Sequence, residues 1–203
     1  DDFHYDVEFY ELMKYYSEGQ YENTEAELII NGDFFDLLKV KYNDDFPDVI
    51  TPIVGITKLK KCIDGHPIVL KALQFFLCKK RHSITYLIGN HDMELIYHEV
   101  QELFKNTISD ENDKNKIRFI TEDEYYQLDG GVQIHHGHQF DIINTINYKR
   151  LTLSDNLPEP VLNLPWGSYF VLHVLNSVIK ERPYIDHVKP FPLFLILSLI
   201  FDF

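Results

Sequence analysis

Three short motifs in the sequence combine oxygen or imidazole side chains with a glycine. The first motif is Gly32–Asp36 (GDFFD), the second is Gly89–Asp92 (GNHD) and the third is His135–His138 (HHGH). Each follows an apolar run that is typical of a buried strand, and its glycine allows the backbone to turn sharply. Polar residues that follow strand ends collect at one edge of an open α/β sheet. The three motifs together therefore indicate one site.

The side chains of these motifs are suited to binding divalent metal ions. The carboxylate of Asp33 can bridge two cations about 3.5–4 Å apart, the spacing of hydrolytic two-metal sites. Asn90 offers a neutral carbonyl oxygen, and His136 offers an imidazole, which favours Mn, Fe or Zn over Mg or Ca. We therefore expect Asp33, Asn90 and His136 to be metal ligands for two divalent ions, with manganese the first choice and iron or zinc the alternatives.

The other polar residues of the motifs suggest supporting roles. We expect His91 to act at the leaving group as a proton donor or charge stabiliser, and we place Asp92 in the catalytic group with it. Asp92 and Asp36 are also positioned to orient the imidazoles. His138 and Asp141 follow the turn of the third motif and are candidates for contact with the metal or the substrate.

The elements that must position these residues alternate between strands and helices, which favours an α/β layered domain. Apolar runs predict strands at Ala26–Asn31, Ser83–Ile88, Ile117–Ile120, Tyr125–Leu128 and Val132–His136. Amphipathic or apolar patterns predict helices at Phe3–Glu18, Ile68–Lys80, Leu95–Asn106, Ser168–Lys180 and Pro192–Phe203.

Composition limits the classes of protein that this chain can belong to. Its 203 residues suggest one domain, and its formal net charge of −13 disfavours nucleic acid as a partner. Bound divalent cations would reverse the local charge of a carboxylate-rich site, so the negative net charge does not exclude a phosphate substrate. Two cysteines without a CxxC pair, and no visible signal peptide, lead us to expect a cytoplasmic protein.

The order of the motifs resembles the pattern of the calcineurin-like metallophosphoesterase family over about residues 25–141. The resemblance implies a four-layered α/β/β/α sandwich. It implies that Asp33 bridges two metal ions, that Asn90 and His136 hold the second ion, and that His91 is the catalytic histidine. It also implies hydrolysis of a phosphomonoester, phosphodiester or pyrophosphate bond in a small phosphorylated or nucleotide-linked substrate.

Two motifs of that family have no clear counterpart in the chain. The family opens with DxH after a first strand and closes with GHxH, and no GHxH follows His138. Asp2 and His4 match DxH in letters, but a predicted helix begins at once and no predicted strand precedes them. We therefore expect the first strand to lie upstream, the sandwich to be incomplete here, and the chain to supply ligands mainly for one metal.

The C-terminal part of the chain has a different composition from the rest. We expect residues 1–155 to form the metallophosphoesterase core and residues 156–203, rich in proline and apolar residues, to form a helical insertion or lid. Within the family, the chain loosely resembles the branch of the UDP-2,3-diacylglucosamine hydrolase. That resemblance implies an acyl-chain or peripheral membrane contact through residues 191–203, although a buried helix would explain the same apolar run.

Three other functions remain open at this point. A phosphoprotein phosphatase would use the same site on phosphopeptides. A non-catalytic scaffold of the same fold would bind a protein or lipid partner, and the two missing motifs are compatible with it. A lipid-surface binder would depend on residues 191–203. The intact residues Asp33, Asn90, His91 and His136 favour an enzyme, because a polar cluster is costly to hold together without a use.

Overall fold

The computed structural model of the protein describes residues 3–179, and its centre is a parallel three-stranded sheet. The strands are β1 (Ala26–Asn31), β2 (His82–Leu87) and β3 (Ile117–Ile120), in the order β1-β2-β3. Ile30 of β1 is aligned with Tyr86 of β2, which is in turn aligned with Phe119 of β3. All three strands were predicted from their apolar runs, and the α/β class is confirmed.

Helices form the crossover connections that parallel strands require. Between β1 and β2 lie α2 (Pro52–Gly65) and α3 (Pro67–Leu77), and between β2 and β3 lies α4 (His98–Ile108). Both α2 and α3 begin with proline, whose fixed φ suits the first helical position. The N-terminal helix α1 (Asp6–Tyr15) packs on α3. The helices therefore connect β1, β2 and β3 in the parallel direction, and backbone pairing aligns β1 with β2.

The helix that follows the second motif begins later than its sequence pattern predicts. A helix was expected from Leu95, whereas a short 3₁₀ turn spans Met93–Ile96 and α4 starts at His98. The backbone N–H groups of Leu95 and Tyr97 donate to the carbonyls of Asp92 and Glu94, so the chain forms this short turn before α4.

An aromatic cluster fills the core directly beside the first two motifs. Neighbouring ring centroids in it are 5.0–6.4 Å apart. Its members are Phe34, Phe35, Tyr86, Phe104 and Phe119. Because two of them belong to the first motif, packing of the core fixes the turn that carries Asp33.

Two antiparallel strand pairs accompany the central sheet. One joins β4 (Tyr125–Gln127) to β5 (Gln133–His135), and the other joins β6 (Thr152–Leu153) to β7 (Val161–Leu162). The Tyr126 hydroxyl on β4 donates a hydrogen bond to Glu27 on β1. Side chains alternate along a strand, so this contact places β4 and β5 over the sheet face opposite the aromatic cluster. The third motif thus starts on a different sheet from the first two.

The last described segment is helical, as predicted for this part of the chain. It comprises α5 (Trp166–Phe170), a π-helical turn (Val171–Leu175) and α6 (Asn176–Ile179). The predicted helix at Pro192–Phe203 and the expected contact through residues 191–203 lie outside the described residues. No helix between residues 3 and 179 is long and apolar enough to cross a membrane. The division at residue 155 stays a prediction, and β6 pairs with β7 across it.

Candidate metal-binding and catalytic site

The first two motifs meet because they follow neighbouring parallel strands. The first motif follows β1, and the second follows β2. The backbone N–H of His91 donates to Oδ1 of Asp33 over 2.9 Å. The backbone N–H of Leu37 donates to the carbonyl of His91 over 3.1 Å. Two hydrogen bonds therefore tie these turns together at the carboxyl edge of the sheet.

The third motif reaches the same place through Asn31, the last residue of β1. The Asn31 side chain donates to the carbonyl of His135 over 3.0 Å, and Nδ1 of His136 lies 2.6 Å from the carbonyl of Asn31. These contacts bring Nε2 of His136 to 3.2 Å from Oδ2 of Asp33. Two of the three predicted metal ligands thus lie side by side, and Asn31 is a site residue that sequence reasoning missed.

The hydrogen bonding of His136 prepares it for a cation. Nδ1 carries the hydrogen that the Asn31 carbonyl accepts, so in the neutral imidazole the lone pair is on Nε2, the atom that faces Asp33. A backbone carbonyl commonly sets the tautomer of a metal-bound histidine in this way. The hydrogen bond and charge of Asp33 raise the pKa of His136 to about 9. The carboxylate of Asp33 therefore favours a positive group next to it, which can be the proton on Nε2 of His136 or a cation.

Two glycines leave no room for a side chain at the point of convergence. A Cβ added to Gly32 would lie 2.5 Å from Nδ1 of His136, and one added to Gly89 would lie 2.1 Å from Oδ1 of Asp33. Gly32 and Asp33 also adopt positive φ angles of 73° and 53°. Such a conformation is uncommon for a residue with a side chain, although aspartate tolerates it better than most. The two glycines allow three chain segments to approach within hydrogen-bonding distance.

His91 is supported by a carboxylate from the first motif. Its Nδ1 lies 2.8 Å from Oδ1 of Asp36, whose other oxygen lies 3.2 Å from the ammonium group of Lys39. Asp36 raises the pKa of His91 by hydrogen bonding and charge, although burial opposes the shift. Asp36 therefore contacts the imidazole that it is expected to orient, and a quarter of the His91 side chain (26%) is exposed to solvent.

Asp92 has a different environment from the one that its sequence position suggests. It is fully buried, and it accepts hydrogen bonds from the Tyr86 hydroxyl and from two backbone N–H groups, those of Phe34 and Gly89. Burial and the charge of Asp33 raise the pKa of Asp92 to about 7. Within residues 3–179 it hydrogen-bonds to no imidazole, so its contacts are those of a group that braces the backbone.

The residues that follow the third motif lie in two distinct settings. His138 is buried, its Nε2 lies 3.1 Å from the Tyr148 hydroxyl, and its ring centroid lies 5.3 Å from that of His136. Burial lowers the pKa of His138 to about 4, so the ring is neutral. Asp141 is exposed and accepts hydrogen bonds from the N–H of Ile143 and the side chain of Asn144. His138 therefore adjoins the site, whereas Asp141 closes a local turn.

The described residues bring together only part of the predicted set of metal ligands. Between residues 3 and 179 no group of three or more His, Cys, Asp or Glu side chains is arranged to hold a metal ion. The pair Asp33 and His136 provides two ligand atoms, and Asn90, an amide that is 7% exposed, lies in the adjoining second motif. His4 is exposed and precedes α1, and Asp2 lies outside the described part of the chain.

Two polar turns at the carboxyl ends of parallel strands, with a histidine held beside them, give this α/β protein a candidate functional site at the edge of its sheet. The model of the calcineurin-like phosphoesterase family matches residues 2–186, and the chain belongs to this family. Membership supports a metallophosphoesterase activity in general, and the parallel sheet with its helices is consistent with the family fold. No curated protein and no solved structure matches the chain. The UDP-2,3-diacylglucosamine hydrolase branch is therefore not confirmed.

We predict that Gly89→Ala disrupts the site while the fold persists. The new methyl group would meet Asp33 at its carboxylate and, at 2.6 Å, at its backbone nitrogen. Overpacking of this kind costs about 1–3 kcal/mol of stability, and displacement of a ligand should weaken Mn²⁺ binding at least about tenfold. Calorimetric titration with Mn²⁺ measures the effect. Gly65→Ala is the control, because nothing lies within 4 Å of its added Cβ. Equal Mn²⁺ affinity in both variants would contradict the close approach of Gly89 to Asp33.

Proposed function

We propose that the protein is a metal-dependent phosphoester hydrolase that acts on a small phosphorylated or nucleotide-linked substrate. The observation that carries the proposal is the meeting of Asp33 and His136 at 3.2 Å, beside the turn that bears Asn90 and His91. Family membership supports the general activity. We propose that the bond that is cleaved is a phosphomonoester, a phosphodiester or a pyrophosphate bond.

Asp33, Asn90 and His136 are the residues that would hold a divalent ion. When bound, the metal would polarise a phosphoryl oxygen and supply hydroxide near neutral pH. A carboxylate, an amide oxygen and an imidazole together suit Mn, Fe or Zn, and we propose manganese. We further propose a second ion, because the carboxylate of Asp33 has two oxygens and can bridge.

We propose that His91 acts on the leaving group. Its ring is partly exposed at the site, and Asp36 accepts a hydrogen bond from Nδ1 and so fixes the ring orientation. The backbone N–H of the same residue holds Asp33 in place. With Nδ1 occupied, Nε2 is the atom that can donate a proton to the departing oxygen. Asp92 is fully buried and accepts hydrogen bonds from two backbone N–H groups, which supports a role in holding the turn rather than contact with the substrate.

Charge and cysteine content support the choice of partner and compartment. A net charge of −13 opposes nucleic acid, whose binding depends on phosphate contacts. The two cysteines of the chain, Cys62 and Cys78, are both free thiols, which fits a reducing compartment such as the cytoplasm.

Hydrolysis of p-nitrophenyl phosphate and bis-p-nitrophenyl phosphate by the Mn²⁺-loaded protein tests the proposal. We expect turnover with at least one of them, and its loss in the double variant Asn90→Ala, His91→Ala. The matched control is His98→Ala, Asn106→Ala, which removes the same residue types from exposed positions of α4. The control should keep the turnover of the wild-type protein.

Absence of turnover with Mn²⁺, Fe²⁺ and Zn²⁺, together with no bound metal by elemental analysis, would overturn the proposal. The non-catalytic scaffold would then be the better account. Turnover that persists in the double variant would instead place the catalytic site elsewhere.

A further inference from the structure

Tyr86 carries a hydroxyl group into the apolar side of the sheet. Its side chain is fully buried, and its ring packs against those of Phe34, Phe104 and Phe119 at centroid distances of 5.5–6.4 Å. A buried hydroxyl without a partner would be costly, so its one acceptor is informative. Burial and the charge of Asp92 keep the pKa of the phenol well above its ordinary value. The hydroxyl is therefore a hydrogen-bond donor.

The acceptor of that hydroxyl connects the two motifs that carry metal ligands. Oδ2 of Asp92 accepts from the Tyr86 hydroxyl over 2.6 Å and from the backbone N–H of Phe34 over 3.1 Å. Oδ1 of Asp92 accepts from the backbone N–H of Gly89 over 2.7 Å. Phe34 directly follows Asp33 in the chain, and Gly89 directly precedes Asn90. One carboxylate thus spans the turns of two predicted ligands.

The Asp92 carboxylate accepts all three of these hydrogen bonds, and the Tyr86 hydroxyl is the one donor among them that does not come from a turn. Both backbone donors come from turns that must stay close to each other, and both need Asp92 in one rotamer to be satisfied. The Tyr86 hydroxyl comes from β2, the central strand of the sheet, which is hydrogen-bonded to a strand on each side. The hydroxyl therefore fixes the position of the Asp92 carboxylate, and the carboxylate in turn fixes the positions of both turns through their backbone N–H groups.

We propose that Tyr86 is a positioning residue that sets, through Asp92, the separation of Asp33 and Asn90 and hence the affinity of the site for a divalent metal. The inference rests on the proposed function for the identity of the ligands. Tyr86 does not touch the metal or the substrate. It acts only by orienting the carboxylate that holds the two turns.

The test compares Tyr86→Phe with Tyr97→Phe. Both substitutions remove one buried hydroxyl and keep the ring, and the Tyr97 hydroxyl donates to the carbonyls of Ile50 and Pro160, away from Asp92. Mn²⁺ affinity is measured by calorimetric titration without substrate, and the midpoint of thermal unfolding is measured in the metal-free protein. We expect similar drops in the unfolding midpoint, but a loss of Mn²⁺ affinity of about 10–100-fold in Tyr86→Phe alone.

A second variant keeps the test decisive if Tyr86→Phe fails to fold. Asp92→Asn preserves the size of the side chain but replaces one accepting oxygen with a donor, so it should weaken Mn²⁺ binding to a similar degree. Wild-type affinity in folded Tyr86→Phe, or in Asp92→Asn where the tyrosine variant does not fold, would overturn the inference.

The same measurements separate this inference from the proposed function. A wild-type protein that binds Mn²⁺ and hydrolyses nothing would leave the positioning role intact if Tyr86→Phe binds the ion weakly. A wild-type protein that hydrolyses the test substrates, with equal Mn²⁺ affinity in Tyr86→Phe, would remove the positioning role alone. No Mn²⁺ binding by the wild-type protein would overturn both.

Discussion

Asp33→Asn is expected to lower turnover of p-nitrophenyl phosphate or its diester by at least about 10²–10³-fold, the effect of removing one preorganised electrostatic group from an active site. The substitution keeps the shape of the side chain and removes its negative charge. Asp33 lies 3.2 Å from His136 and accepts the backbone N–H of His91, so it contacts two of the three motifs. A neutral amide there can neither bridge two cations nor balance their charge.

The measurement is steady-state kinetics over a range of Mn²⁺ concentrations. Asp129→Asn is the matched control, because Asp129 is an exposed carboxylate of the turn between β4 and β5. We expect the control to behave like the wild-type protein. Turnover of Asp33→Asn within about tenfold of wild type at saturating Mn²⁺ would show that the carboxylate is not a metal ligand.

Lys58→Met is expected to lower the free energy of unfolding by about 3–5 kcal/mol, the cost of breaking a buried ion pair by removing one partner. The ammonium group of Lys58 on α2 lies 2.5 Å from Oε1 of Glu94, and the two side chains are 0% and 1% exposed. No residue between 3 and 179 donates to Oε2 of Glu94. Without Lys58, the carboxylate would be buried without compensation directly after the second motif.

Urea denaturation at neutral pH measures this loss. The double variant Lys58→Met, Glu94→Leu should recover most of the stability, because apolar residues of similar volume replace a buried pair at little cost. Lys114→Met is the surface control. It breaks the pair with Glu111, whose side chain is 85% exposed, and should cost no more than about 1 kcal/mol. A loss below 1 kcal/mol in Lys58→Met would contradict the burial of the pair.

Residue type and local pattern predicted much of the fold. The runs that became β1, β2 and β3 were recognisable because strands buried in a parallel sheet are rich in apolar residues. The turns that follow β1 and β2 were recognisable because glycine and polar side chains interrupt those runs abruptly. The bounds of α4 were predicted less well, because a short 3₁₀ turn precedes the helix and its apolar residues resemble a first helical turn.

The roles of several polar residues required the structure. Asn31 looked like the end of a strand, yet it holds both His135 and His136. Tyr86 offered a signal, since the hydroxyl of a tyrosine buried in a strand needs a hydrogen-bond partner, but the sequence did not show which. Asp92 belongs to the motif that contains the predicted ligand Asn90. The structure shows that Asp92 itself is buried and hydrogen-bonded to backbone N–H groups.

The sequence by itself determined the family, the α/β class and the identity of the candidate ligands, because these depend on residue types and on spacing within short segments. Only the tertiary structure decided which atoms meet. His136 and Asn31 are 105 positions apart, Asp92 and Phe34 are 58 apart, and Lys58 and Glu94 are 36 apart. Contacts at such separations are set by the packing of strands and helices against one another, which no local pattern specifies.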